Sequence, residues 1–323
     1  MKKWPVILCA LAVFAALIVS AQAVTASCRD ALRLCGEVII PSLFPFFVMS
    51  LLLNKLGLPG FISSALAPAA GRLFGVSGAG ASSLIIGLTG GYPLGAAYIA
   101  DMLSSGAISK HEGERLLVFC NNSGPAFIMG AVGAGVFASA RVGVYLYIIH
   151  ILAAVLTGVI MRVTARGEEI SAPGKSEARA ALPSFGEALP EAVRGAVSAV
   201  LNVCGFVVAF SVLVGVLDSE GFFSIVVGRI AALTGWELRR TRAFLTGLLE
   251  LGSGVGAMRG LGISPANLAL AAFLVGWGGL SVHFQTASVI AESGIKGVPH
   301  FAGRLISACV GGVIAYLCYP LVF

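Results

Sequence analysis

Apolar runs of membrane-crossing length, repeatedly interrupted by glycine, proline and asparagine, constrain this chain more than any other feature. Runs of about 18 or more apolar residues span a hydrocarbon core of about 30 Å, and several stretches reach that length. Composition agrees, with 58% of the 323 residues hydrophobic, 11% charged and a mean hydropathy of +0.96. A soluble domain carries roughly 25% charged residues. The chain therefore reads as an all-α, polytopic membrane protein whose first partner is the lipid bilayer. Its net charge of +6 is too small and scattered for a nucleic-acid footprint, and it suits the cytoplasmic bias of basic residues in membrane proteins.

Lys2-Lys3, the apolar stretch Trp4 to Ala26 and the small residues Ala21-Gln22-Ala23 resemble a cleavable signal peptide. The stretch is long enough to cross, however, so an uncleaved transmembrane helix over residues 1–26 is expected. A first unit, 27–163, comes next. In it, Pro41 and Pro45 predict a kinked or re-entrant element over Val38 to Leu53, because each removes a backbone donor. Residues 60–80 predict a short interfacial helix. Ser82 to Leu103 is a span broken at Gly90-Gly91-Tyr92-Pro93. Ser109 precedes Glu112 by three, the spacing of a capping box. The helix opened there meets a second break at Asn121-Asn122-Ser123-Gly124-Pro125, and Val142 to Val163 reads as an uninterrupted span. Residues 164–195 gather charge and proline and read as a hydrophilic connector. A second unit, 196–323, holds a span from Ala196 to Leu217, a short helix from Phe222 to Leu233 and a basic turn at Arg239 to Arg242. Its next spans are broken around Glu250 to Gly254 and at Gly276 to His283, and Phe301 to Phe323 closes the chain.

The two units share an order of motifs. Gly87-Leu88 and Gly247-Leu248 each lead into a break. Each break is followed by Gly-Ala (Gly95-Ala96, Gly256-Ala257), then by Ile-Ser (Ile108-Ser109, Ile263-Ser264). Phe119 and Phe273 then open the second breaks, 32 and 26 residues beyond their leading glycines. Interrupted helices in matching positions of two halves point to a transport site. Lipid cannot satisfy the unpaired N–H and C=O groups of a break, so each must face protein, water or a ligand. Half-helix amino ends suit anionic groups and exposed carbonyls suit a cation. Whether the halves are inverted is open at this level.

The candidate substrate-binding residues are Gly91, Tyr92, Asn121, Asn122, Ser123, Glu250, Ser253, Gly279, Ser281, His283 and Gln285. Amides and carboxylates inside spans are expensive unless partnered, which makes Asn121, Asn122 and Glu250 functional candidates. Glu250 could hold a cation, carry a coupling proton, or pair with Arg259 or His283. Ser281, His283 and Gln285, spaced by two beside a glycine pair, suit an extended segment facing a cavity. Against these readings, the asparagines could simply staple helices together, and Tyr92 and Trp277 could be packing aromatics. No GxxxxGK[ST], GxSxG or HExxH occurs, and the seven cysteines form no CxxC pair. No enzymatic chemistry, cofactor or metal site is expected, apart from a remote Ser123–His283 nucleophile and base. A coupling ion, sodium or proton, and a homo-oligomer both stay open.

The segments Gly90 to Ala96, Phe119 to Pro125 and Gly278 to Gln285 resemble the YlbJ-type sporulation integral membrane proteins. The likeness runs from about Glu37 to the end. It implies a nucleoside-recognition, or Gate, domain fold, shared with nucleoside and ferrous-iron transport proteins, as two related repeats containing broken or re-entrant helices. It also implies a bacterial membrane, a forespore membrane among the candidates, and movement of a small solute needed by the spore. The aromatic dicarboxylate dipicolinate leads the candidate solutes. The alternatives are a structural or assembly role in the sporulation membrane and a nucleoside-type transporter.

Overall fold

Within lipid, backbone polar groups are satisfied by helices or closed barrels, and the described part of this chain is helical without a strand. A computed structural model gives residues 4–164 and 182–323, so most of the connector expected over 164–195 lies outside the described residues. Among the described residues, five helices are long and apolar enough to cross a membrane, or six if one bent pair counts as a span.

Helix α1, Trp4–Val19, buries no side chain. The single helix expected over 1–26 ends early, because Ser20 turns the chain and Ala21 opens a separate helix. This helix, α2, runs 35 residues over Ala21–Lys55. Pro41 and Pro45 do not interrupt it. A π-helical turn, Cys35–Ile39, widens the helix just ahead of Pro41, and Ser42 Oγ bonds the Ile39 carbonyl at 3.2 Å. A wider turn is one way a helix absorbs donors that proline removes.

Helix α3, Leu58–Leu73, meets α4, Gly78–Gly90, at 98°. After the first break come α5, Leu94–Ser104, and α6, Lys110–Cys120. Ser109 caps α6 by accepting from Glu112 N at 3.2 Å. The expected capping box is redirected, for Glu112 Oε1 accepts from Ser77 N at 2.6 Å and so ties α6 to the α3–α4 corner. After the second break, α7, Ala126–Val136, is π-helical, and α8, Ala140–Thr164, closes the half.

The second half opens with α9, Phe185–Ser219, again 35 residues. A capping box between Ser184 and Glu187 starts it, which places 185–195 in the helix and not in the connector. Then come α10, Phe222–Thr234, and α11, Leu238–Leu249. Arg239 to Arg242 lie in the first turns of α11 and do not form a loop. Arg239 bonds the Arg259 carbonyl at 2.7 Å, Arg240 bonds Asn267 Oδ1 at 3.0 Å, and Arg242 pairs with Asp218. Helices α12, Leu251–Gly256, α13, Pro265–Trp277, α14, Gly279–Ile290, and α15, Val298–Cys318, complete the half.

Element order thus repeats: a 35-residue helix, a short helix, two broken pairs and a closing helix. Two pairs of equivalent helices, α2 with α9 and α8 with α15, pack antiparallel. At one end of the α2–α9 pair Ser20 Oγ donates to Glu220 at 2.7 Å, and at the other Lys55 pairs with Glu191. The closing helices do likewise, with Arg141 bonded to the Val322 carbonyl and Tyr145 to the Ala315 carbonyl. Antiparallel packing of equivalent helices inverts one half relative to the other.

Candidate functional site

The breaks come together because glycine lets backbone approach backbone. Gly91 has φ +86°, and a Cβ there would lie 2.8 Å from Gly124 N. Gly279 has φ +76°, and its Cβ would lie 3.0 Å from Leu251 N. In each half, therefore, the first break rests on the second with no room for a side chain. All four breaks border one cavity of about 50 Å³. At roughly 10–15 Å³ per water, that is room for about three to five waters.

Polar walls come from Tyr92, Ser123, Glu250, Ser281 and Gln285, and the opposite wall is apolar, from Ile39 and Leu43 of α2 and Val203 and Val207 of α9. Ser123 Oγ, Ser281 Oγ and Gln285 Oε1 are buried without a hydrogen-bond partner. A buried polar atom without a partner costs about 1–3 kcal/mol, so these three atoms mark where a polar guest would gain most. The extended segment expected for 281–285 is instead helix, because α14 starts at Gly279. Ser281 and Gln285, four apart, share a helical face toward the cavity. His283 points elsewhere and packs against Trp277 and Phe301, with ring centroids 4.4 and 4.9 Å away.

Glu250 is the N-cap of α12. Its two oxygens accept from Gly252 N at 2.9 Å and Ser253 N at 2.6 Å, and no ion pair joins it to Arg259 or His283 among the described residues. Ser253 turns from the cavity toward Ser211 of α9, 3.2 Å between hydroxyl oxygens. Asn121 links α5 to α14, accepting from Ala96 N at 3.3 Å and donating to Thr286 Oγ1 at 2.8 Å. Asn122 donates to the Phe119 carbonyl at 2.7 Å. Several half-helix amino ends are thus already held by protein acceptors: Glu250 at α12, Asn121 at α5, and His150, which accepts from Ser123 N at 3.1 Å.

Two residues in this network were not anticipated from sequence. Arg304 of α15 is fully buried. Its Nη1 donates to the Asn121 carbonyl at 3.0 Å and Asn122 Oδ1 at 2.9 Å, its Nη2 donates to the Gly276 carbonyl, and its guanidinium lies 5.4 Å from the Tyr92 ring centre. His150 sits buried midway along α8. Each was legible as a titratable group inside an apolar run, but Arg304 stands near the start of its span, where a basic residue passes for an interfacial one. Ser123 and His283 share no hydrogen bond. Among the described residues no three His, Cys, Asp or Glu side chains gather to hold a metal.

Two polar clefts flank the cavity along α2. One is lined by Ser50, Asn54, Tyr98 and Asp101, the other by Ser27, Asp30, Ser211 and Asp218. At 1.5 Å per residue, each lies about 15 Å along the helix from the cavity residues.

No model of a known protein family matches the chain, and no solved structure matches it. It is 31% identical over 318 residues to the sporulation integral membrane protein YlbJ of Bacillus subtilis (strain 168), covering 92% of this chain and 78% of that protein.

Proposed function

We propose that this chain, which belongs to the family of the sporulation integral membrane protein YlbJ, moves a small polar solute across a membrane during sporulation. The observation that carries the reading is the narrow cavity where four broken helices of two inverted halves meet. Its place between two clefts near opposite ends of an antiparallel helix pair suits alternating access. As it stands, about 50 Å³ is too small for a ring-bearing solute, since pockets for such ligands run about 300–1,000 Å³. Loading therefore requires α2 and α9 to move away from the breaks.

An aromatic dicarboxylate such as dipicolinate is the solute to test first. The Ile39, Leu43, Val203 and Val207 wall suits a ring, and the hydroxyls of Ser123 and Ser281 supply donors for carboxylate oxygens. Tyr92 is less suited to stacking on a ring, because the Arg304 guanidinium already lies over its own ring. The test is uptake of labelled dipicolinate, with nucleosides alongside, into proteoliposomes. Dipicolinate uptake that falls sharply in Ser123→Ala and Ser281→Ala supports the reading. Lack of uptake of any solute, with the protein correctly inserted, refutes it.

A further inference from the structure

Arg304 is a charge without a counter-charge. It is 0% exposed, and among the described residues no carboxylate bonds or pairs with it. Its Nη atoms donate to two backbone carbonyls and one amide oxygen, the Tyr92 side chain lies against it, and its Nε meets no acceptor among the described residues. The carbonyls have a particular origin. Asn121 O lies at the carboxyl end of α6, and Gly276 O lies in the last turn of α13. These are equivalent half-helices of the two inverted halves, so a single guanidinium joins the carboxyl ends of both second-break helices. Such ends carry partial negative charge, and in broken-helix transporters it is unwound carbonyls and half-helix carboxyl ends that coordinate a coupling cation.

We infer that Arg304 is a fixed counter-cation occupying the place between two half-helix carboxyl ends that a mobile cation would otherwise fill, so that transport through the adjacent cavity needs no sodium. The inference rests on the transport reading above. A sodium ion seeking these carbonyls would have to displace the guanidinium, leaving a buried and unpaired charge, which is strongly unfavourable. The other charged group at the breaks is committed in the mirror-image way. Glu250 directs both oxygens at the amino end of α12, and no bond joins it to the carbonyls that Arg304 holds. The nearness of Arg304 to the path is set by Tyr92 and Asn122. Tyr92 lines the cavity and lies under the guanidinium, and Asn122, bonded to it, adjoins the cavity-lining Ser123.

Two measurements decide it. The first is dipicolinate uptake into proteoliposomes in sodium, potassium or choline chloride. The inference expects initial rates equal within about twofold, whereas a fall of about tenfold or more without sodium would overturn it while leaving transport standing. Uptake absent in all three media overturns the transport reading, and the inference with it. The second is the melting temperature of the purified protein in sodium chloride against choline chloride at matched ionic strength, which needs no solute. No difference is expected, and a saturable stabilisation by millimolar sodium contradicts the inference. Arg304→Lys, which keeps the charge, should retain part of the uptake. Arg304→Met should lose it or acquire dependence on sodium, and a Met variant with full, sodium-indifferent uptake would also contradict the inference.

Discussion

A Cβ on Gly87 would sit 1.6 Å from the carbonyl oxygen of Cys120, so the contact between α4 and α6 beside the first break tolerates no side chain. Gly87→Ala should destabilise by about 1–3 kcal/mol, toward the upper end because the obstacle is backbone. Thermal melting in detergent would register it. Asn122→Ala removes an acceptor from a buried guanidinium, and melting should report a loss of about 1–3 kcal/mol. Glu250→Ala should cost about 0.5–2 kcal/mol as a lost cap, while Glu250→Gln should cost less, since its amide oxygen still accepts one N–H. Equal melting temperatures for the Ala and Gln variants would speak against the capping role. The residues legible in sequence were those whose type clashes with an apolar run: the glycine pairs, Asn121, Asn122 and Glu250. Arg304 and His150 escaped because a single titratable group says nothing of which distant carbonyl it meets, and their partners lie 183 and 27 residues away.

At the scale of elements, the breaks themselves were readable, since Gly-Tyr-Pro and Asn-Asn-Ser-Gly-Pro cannot continue a helix in lipid without outside partners. The conformation just beyond a break was not. Spacing by two suggests an extended segment over Ser281 to Gln285, but helix resumes at once, and residues four apart share the cavity face. The prolines of α2 misled for a related reason: the π-helical turn ahead of them keeps the helix whole. The contact between α9 and α12 offers a test of which elements part. Ser211 and Ser253, 3.2 Å apart, line the cleft beside Asp30 and Asp218, and Ser253 adjoins the cavity-lining Gly252. With both changed to cysteine in a cysteine-free background, oxidation should abolish uptake and reduction should restore it. Uptake indifferent to oxidation, once crosslinking is verified by mass spectrometry, would place the moving contact elsewhere.

For the whole molecule, the matching order of motifs revealed two related halves, but their relative direction depends on how many elements cross, and short pieces such as α3 and α10 leave that count ambiguous in sequence. The antiparallel packing of α2 on α9 and of α8 on α15 supplies the direction. Inversion gives the two halves opposite faces, so the clefts near Asn54 and Asp30 should open to opposite sides of the membrane. Cysteines placed there should react with an impermeant reagent from opposite faces of sealed vesicles. On this reading the cavity between them is one compartment of a path reachable from both sides. The most direct measurement is labelling of Ser281→Cys by a small impermeant methanethiosulfonate added to either face. Reaction from both faces, slowed by dipicolinate, is the expected result. Reaction from neither face, or from one face only, would contradict it.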